Sequence, residues 1–155
     1  MRTRIGALRP PYTDDRPPQY RLPGTPEAAR EAREYVTSAL GPNNPLLSEA
    51  QLIASELVTN AYLHSRSGLP DGTIGFTVAP LVCGCFIEVA DAGPRSSAPT
   101  SPRVRVPDGD EAEGRGLLLI DATAYAWGDT ACPCGGRSVW ALLVHAGEQA
   151  QADAA

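Results

Sequence analysis

A carboxylate and a carboxamide lie one turn apart in an otherwise apolar stretch, SELVTNAYLHS, at residues 55–65. On a helix, Glu56 and Asn60 would share one face, because side chains four residues apart lie one above the other. An unpaired carboxylate is costly to bury, so Glu56 needs partners. Asn60 offers a carbonyl oxygen of the kind that Mg²⁺ accepts, and Glu56 has the chemistry of a general base. The alternative is the exposed edge of an amphipathic helix.

A second acidic residue ends the apolar stretch CFIEVADAG, at residues 85–93. Strand alternation would place Ile87, Val89 and Asp91 on one face. A carboxylate at the end of such a row can accept a hydrogen bond from a ligand N–H group. Gly93 would leave room for a flat ring close to the backbone. The alternative is a simple strand-ending Asp-x-Gly turn.

The third candidate is the tripeptide GRG at residues 114–116, directly before the apolar run LLLI. Two glycines at the start of a helix expose backbone N–H groups at the positive end of the helix dipole, which is a favourable place for phosphate. Arg115 would add a charge that pairs with phosphate oxygens. The alternative is an ordinary loop-to-helix turn.

Patterning predicts the elements that would carry these residues. A helix should start near Thr25 and end at Gly41, and a second should run from a capping box, Ser48 with Gln51, to about Ser65. Two strands in hairpin order, a long polar loop, a third helix after GRG and a closing hairpin follow. We therefore expect an α+β fold, a two-layer sandwich in which helices cover one face of a mixed, mostly antiparallel sheet. The expected boundaries are a flexible tail at 1–18, a domain at 19–145 with its loop at 92–113, and a second tail at 146–155.

Composition excludes some classes of function. The chain has 155 residues, a formal net charge of −5, 43% hydrophobic and 20% charged residues, which is typical of one globular domain. A net acidic charge argues against direct binding of nucleic acid. No apolar run reaches the length of a membrane span, and the N-terminus has no apolar segment of a secretory signal. We therefore expect a cytoplasmic protein without a membrane partner.

The four cysteines form two C-x-C pairs, Cys83 with Cys85 and Cys132 with Cys134. Four thiolates would suit tetrahedral zinc, but the usual spacing of zinc ligands is C-x-x-C. Reduced cysteines with a structural role are therefore favoured over a zinc site or a disulfide.

Taken together, these motifs resemble the GHKL (Bergerat) ATP-binding fold, and within it the anti-sigma-factor serine/threonine kinase family. ELVTNAYLHS resembles the N box, and VADAGP resembles the box that contacts adenine. GRGLLLIDATAYAWG, followed by GGRSVWALL, resembles the phosphate box and the final strands. The resemblance covers about residues 19–145.

The resemblance implies roles for individual residues. Asn60 would coordinate Mg²⁺, Glu56 would be the general base, and Asp91 would accept from the adenine amino group. Gly93 would lie beside the ring, and Ser138 stands where relatives often have a threonine near the adenine. The backbone of Gly114 and Gly116 would hold the phosphates, and Leu117 follows them in the phosphate box. The intervening loop would be the ATP lid, and its arginines would be candidate charge clamps: Arg95, Arg103, Arg105 and Arg115. Arg95 replaces the second glycine of the D-x-G-x-G pattern of the broader fold, and His64 is expected at the rim.

The function implied by the resemblance is that of a Mg²⁺–ATP-dependent protein kinase. It would transfer the γ-phosphate of ATP to a serine or threonine of an anti-sigma-factor antagonist, release ADP and control a sigma factor. A homodimer is also implied. One alternative is a module in which the nucleotide orders the lid and gates partner binding without phosphoryl transfer. A further alternative is a structural domain with a decayed pocket.

Overall fold

The computed structural model describes residues 3–4, 17–95 and 115–147. Within these residues, three helices and one six-stranded sheet make up the fold. The helices are α1 (Ala28–Leu40), α2 (Leu47–His64) and α3 (Arg115–Thr123), with a short 3₁₀ turn at Arg66–Gly68 after α2. The strands are β1 (Thr3–Arg4), β2 (Tyr20–Pro23), β3 (Thr73–Leu81), β4 (Gly84–Asp91), β5 (Ala126–Ala131) and β6 (Arg137–Val144).

The sheet has the strand order β1-β5-β6-β4-β3-β2, and every neighbouring pair is antiparallel except the two-residue β1 beside β5. The predicted hairpins are β3–β4 and β5–β6. Strand β2 was not predicted from the sequence, and it pairs with β3 through Leu22 opposite Ile74. The α+β prediction is confirmed. Within the described residues, no helix is both long and apolar enough to cross a membrane.

The main hydrophobic core lies between the helices and one face of the sheet. The alternation predicted for β3 and β4 is correct, because Ile74, Phe76, Ile87 and Val89 are buried on this face. The helices contribute Val36, Ile53, Leu57 and other buried residues to the same cluster. The opposite face of the sheet has a second, smaller cluster around Phe86 and Trp140. The sheet therefore has a helix-covered face, on which residues at the ends of strands can form a site.

The predicted side-chain caps of the first two helices do not form. The N-cap positions are Glu27 and Leu46, and neither makes a side-chain capping hydrogen bond within the described part of the chain. Gln51, which was expected to complete a capping box, instead donates to Thr37 Oγ1 at 2.9 Å and so joins α2 to α1. The hydrogen bond to α1 therefore uses the Gln51 side chain that the local pattern had assigned to the cap.

Several predictions fall on residues that the structure does not describe. These are the loop at 96–113, Gly114 and most of both predicted tails. Within the predicted N-terminal tail, Thr3 and Arg4 form β1.

One of the two C-x-C pairs is not reduced as predicted. Cys132 and Cys134 form a disulfide in the turn between β5 and β6, so the expectation of reduced cysteines is wrong for this pair. The reason is the conformation of the turn, which brings the two Cα atoms to 5.2 Å, well within the range that a disulfide spans. Cys83 and Cys85 are free thiols. Among the described residues, no group of three or more His, Cys, Asp or Glu side chains lies together, which leaves no four-ligand zinc site there.

Candidate active site

Helix α2 carries Glu56 and Asn60 at the boundary between its buried and exposed faces. Its buried face consists of small and branched residues such as Ile53, Ala54 and Leu57. Glu56 and Asn60 are each partly buried. They are therefore neither core residues nor members of a fully solvated edge. This intermediate environment suits a pair of side chains that bind a ligand.

Glu56 lies directly against the first turn of α3. A Cβ placed on Gly116 would be 2.5 Å from Oε2 of Glu56 and 3.4 Å from its Cδ. Only glycine leaves this carboxylate undisturbed at that position. The structure therefore brings together two predicted site residues that are 60 positions apart in the chain, a distance given by 116 minus 56. It joins them at a helix N-terminus, where backbone N–H groups attract anions.

Asp91 ends β4 on the helix-covered face, as the alternation predicted. Its Oδ1 accepts a hydrogen bond from the backbone N–H of Gly93 at 2.7 Å. Burial raises the pKa of Asp91, and this effect exceeds the opposing influence of the Gly93 hydrogen bond and of the Arg137 charge. A desolvated carboxyl group at the end of a strand is suited to recognise a ligand N–H group.

Gly93 has a role in packing as well as its predicted place beside a ring. Its φ is +91°, a conformation that favours glycine. A Cβ on Gly93 would collide with the carbonyl oxygen of Gly135, in the turn between β5 and β6. The segment after Asp91 is therefore packed closely against this turn.

Arg66 is a residue near Asp91 whose role was not predicted from the sequence. Its guanidinium donates to the carbonyl oxygen of Ala92 through Nε at 3.1 Å and Nη2 at 2.6 Å. Its backbone N–H donates to the carbonyl oxygen of Gly93 at 2.9 Å. Arg66 thus holds the turn after Asp91 against the end of α2. Neither periodicity nor a motif marks it, because the contact depends on two segments 26 residues apart.

Two buried serines make the same connection from the inside. Ser65 Oγ donates to the carbonyl oxygen of Ala61 at 2.6 Å and accepts from the N–H of Ser67 at 3.0 Å. Ser67 Oγ accepts from the N–H of Ala92 at 2.9 Å. Both side chains are buried, so these bonds are shielded from water. They fix the start of the predicted adenine-contacting segment relative to the helix that carries Asn60.

Arg95 lies at the C-terminal end of α2. It donates from Nε to the carbonyl oxygen of Ser65 at 2.9 Å and from Nη2 to that of Tyr62 at 3.0 Å. The Tyr62 carbonyl is one that a helix end leaves without an intrahelical partner, and a cation there also complements the helix dipole. The predicted phosphate-contacting residue thus caps a helix in this structure.

Ser138 does not lie beside Asp91. In the β4–β6 register, Asp91 is opposite Arg137 and Ser138 is opposite Ala90. Because directly opposite residues share a face, Ser138 points to the face of Trp140, away from the helices. The predicted position of Ser138 near an adenine held by Asp91 is therefore not found. Arg137 is the residue opposite Asp91, and the motif did not predict this because it does not state the register of β6.

The remaining predicted residues vary in what can be described. Leu117 is partly buried and packs on the main core, and His64 is exposed at the end of α2. Outside the described residues or side chains lie Gly114, Arg103, Arg105 and the side chain of Arg115.

Comparison with known families agrees with this geometry. A family model described as the histidine kinase-like ATPase domain matches residues 22–126, which is more than half of the chain. The matched range contains Glu56, Asn60, Asp91 and Gly116. A search of curated proteins found no match. The chain accordingly belongs to the histidine kinase-like ATPase domain family.

Proposed function

We propose that this protein is a Mg²⁺–ATP-dependent protein kinase that phosphorylates a serine or threonine on a protein partner. The observation that carries the proposal is the contact between the carboxylate of Glu56 and Gly116 at the start of α3. A purely structural helix–helix contact would be better served by an apolar pair at this place, since a partly buried carboxylate is costly. A proton acceptor beside an anion-binding helix end is what transfer of a phosphoryl group requires.

The residues present fit a magnesium nucleotide. Gly116 keeps the start of α3 free of a side chain on the side that faces Glu56. Asp91 offers a partly desolvated carboxyl group that can bind the adenine amino group. Asn60 would hold Mg²⁺ through one side-chain oxygen, and phosphate oxygens and water would be its further ligands. The ion, when bound, would neutralise phosphate charge.

The chain's own residues then perform three tasks. Asp91 orients the adenine ring, and the N-terminus of α3 attracts the phosphates. Glu56 accepts the proton of the attacking hydroxyl group. The oxygen of that hydroxyl forms a bond to the γ-phosphorus while the bond from this phosphorus to the bridging oxygen breaks, so ADP leaves. Transfer of this kind depends mainly on positioning and charge stabilisation.

The proposed protein substrate is an anti-sigma-factor antagonist, and the proposed regulated partner is a sigma factor. The support is the resemblance of the three motifs to the anti-sigma-factor kinases, together with a shared fold. In this scheme, phosphorylation of the antagonist would change the fraction of kinase molecules that are free to bind the sigma factor.

The experiment is transfer of labelled phosphate from ATP to candidate antagonists, comparing wild type with Glu56→Gln. We expect Glu56→Gln to reduce the transfer rate by about 10²- to 10⁴-fold, because a general base is lost, while ATP affinity changes little. Glu49→Gln is the matched control, since Glu49 is an exposed glutamate in the first turn of the same helix. If wild type binds ATP but labels no acceptor, the kinase assignment is wrong and a nucleotide-gated binding module remains.

A further inference from the structure

The turn between β5 and β6 contains a disulfide-forming pair that the proposed kinase reaction does not use. Cys132 and Cys134 are separated by Pro133, and both cysteines are exposed. Two backbone hydrogen bonds close the turn, from Cys132 N to Gly136 O at 2.8 Å and from Gly135 N to Cys132 O at 2.9 Å. The pair is therefore held at bonding distance on a surface that external thiols can reach.

The second C-x-C pair shows that the spacing alone does not produce this arrangement. Cys83 and Cys85 are free thiols at the β3–β4 turn. Cys85 is buried, and burial raises the pKa of its thiol to about 12. Because the thiolate is the reactive form, Cys85 is protected from exchange. The chain thus has one exposed pair and one pair with a protected member, with identical spacing.

The turn that carries the exposed pair packs against the segment that contains Asp91 and Gly93. The carbonyl oxygen of Gly135 packs against Gly93 so closely that a Cβ on Gly93 would collide with it. A Cβ on Gly136 would lie 2.7 Å from the carbonyl oxygen of Asp91 and 3.5 Å from Sγ of Cys134. The turn also ends at Arg137, which faces Asp91. A change in the conformation of this turn therefore reaches both residues of the proposed adenine-contacting segment.

We propose that Cys132 and Cys134 are a thiol–disulfide exchange site for low-molecular-weight thiols and disulfides, and that the closed disulfide holds the β5–β6 turn against Asp91 and Gly93. Its effect on ATP affinity rests on the nucleotide site proposed above. The disulfide form would bind ATP about three- to tenfold more tightly than the dithiol form, because it holds the turn in the conformation that supports the pocket.

The exchange reaction is balanced. The thiolate of one cysteine attacks a low-molecular-weight disulfide, forms a mixed disulfide and releases one thiol. The second cysteine thiolate attacks the protein sulfur of this mixed disulfide and releases the second thiol. The two protein thiols are oxidised to one disulfide, while the external disulfide is reduced to two thiols that take up the two protons. In a reducing compartment such a bond would be transient, which is the behaviour of a sensor rather than of a structural crosslink.

The test equilibrates the whole protein in glutathione buffers of graded ratio and measures the intact mass, which falls by two hydrogens on closure. Hydrogen exchange of the segments containing Arg66 and Gly135 is then compared between the two forms without nucleotide. We expect graded closure, and slower exchange of both segments in the disulfide form. Failure of the bond to follow the buffer, or equal exchange in both forms, would overturn the proposal.

ATP titration of both forms measures the coupling. We expect the three- to tenfold difference in wild type and in Cys83→Ser, and no difference in a variant with both Cys132→Ser and Cys134→Ser. An affinity that does not depend on redox state in wild type would overturn the coupling. If neither form binds ATP, the proposed nucleotide site is wrong, and the mass and hydrogen-exchange measurements still decide whether the pair exchanges and holds the turn.

Discussion

The carboxylate of Glu56 lies against Gly116, with Oε2 only 2.5 Å from the position that a Cβ on the glycine would take. This contact joins the middle of α2 to the first turn of α3. It places the only proton acceptor proposed for the reaction at a helix end that attracts anions. The position of the Glu56 carboxylate therefore depends on the absence of a side chain at position 116.

Gly116→Ala should therefore impair transfer more than folding. The new Cβ would displace the end of a flexible side chain rather than backbone, and alanine favours helix, so the free energy of unfolding should change by no more than about 1 kcal/mol. The transfer rate should fall by about 10- to 100-fold because Glu56 is moved from its position. Urea unfolding and the labelled-ATP assay measure the two quantities.

The control for this variant is Gly147→Ala, because nothing lies within 4 Å of a Cβ at Gly147. It should leave both quantities unchanged. A Gly116→Ala protein that transfers phosphate at the wild-type rate would show that the position of Glu56 is irrelevant to the reaction.

Asp91 should make stability and nucleotide binding depend on pH in opposite directions. Its pKa is raised in the folded protein above the ordinary 3.8, so the folded state holds the proton more tightly than the unfolded state does. The contribution of this group to stability is thus fully present below the ordinary pKa and is lost as the pH rises through the folded pKa. Binding of the adenine amino group should strengthen over the same range, because the ionised carboxylate is the better acceptor.

Asp91→Asn provides the measurement. The difference in free energy of unfolding between wild type and this variant, measured by urea titration at several pH values, should move against wild type as the pH rises from below 3.8. ATP affinity at neutral pH should fall by about 10- to 100-fold, because a hydrogen bond to a charged group is lost. The amide can still accept from the N–H of Gly93, so the turn itself should survive. A difference in stability that does not vary with pH would contradict the buried carboxyl group.

Arg66 should support the site without touching the nucleotide. Arg66→Ala removes the two guanidinium hydrogen bonds to the carbonyl oxygen of Ala92. Because Arg66 is exposed, we expect a loss of only about 1 kcal/mol in stability, but a severalfold loss of ATP affinity as the turn after Asp91 loosens.

Arg30→Ala is the matched control for this variant. Its exposed ion pair with Glu34, at 3.8 Å, is an i,i+4 contact on α1 and should contribute less than about 0.5 kcal/mol. It should not change ATP affinity. Equal affinities for wild type and Arg66→Ala would show that the turn is held by other contacts, such as those of Ser67.

The two faces of β6 give a direct test of the register. Ser138→Ala should change ATP affinity by less than about twofold, because Ser138 lies on the face away from Asp91. Arg137→Ala should shift the pH dependence of ATP binding to higher pH, since the positive charge of Arg137 lowers the pKa of Asp91. Isothermal titration of each variant with ATP at several pH values measures both effects. A larger effect at Ser138 than at Arg137 would restore the placement expected from the motif.

Much of the site was predictable because it depends on local periodicity. The four-residue spacing of Glu56 and Asn60 places them together on any helix, and the alternation of Ile87, Val89 and Asp91 places the carboxylate on the face that carries the core. The order of helices and hairpins likewise follows from apolar periods and turn residues, so the α+β layout was predictable before any contact was known.

Local rules failed where a long-range contact competed for the same side chain. Gln51 was available for a capping box but bonds to Thr37 of α1, and no local pattern predicted that Arg95 caps α2 at Ser65 and Tyr62. Similarly, the motif suggested that Ser138 lies near Asp91, but strand register places Arg137 opposite Asp91 and Ser138 opposite Ala90. A change of one residue in register reverses which face a side chain occupies, and no motif states the register.

The sequence by itself determined the helix and strand order, the sheet faces and the residue types capable of phosphoryl transfer, because these follow from periods of two and 3.6 residues and from side-chain chemistry. Only the tertiary structure decided that Glu56 meets Gly116, that Arg66 holds Ala92, and that Cys132 and Cys134 lie in a turn packed on Gly93. Each of these contacts joins segments, or depends on a turn, whose relative position is set by packing of the whole sheet and its helices. Local patterns do not contain that information.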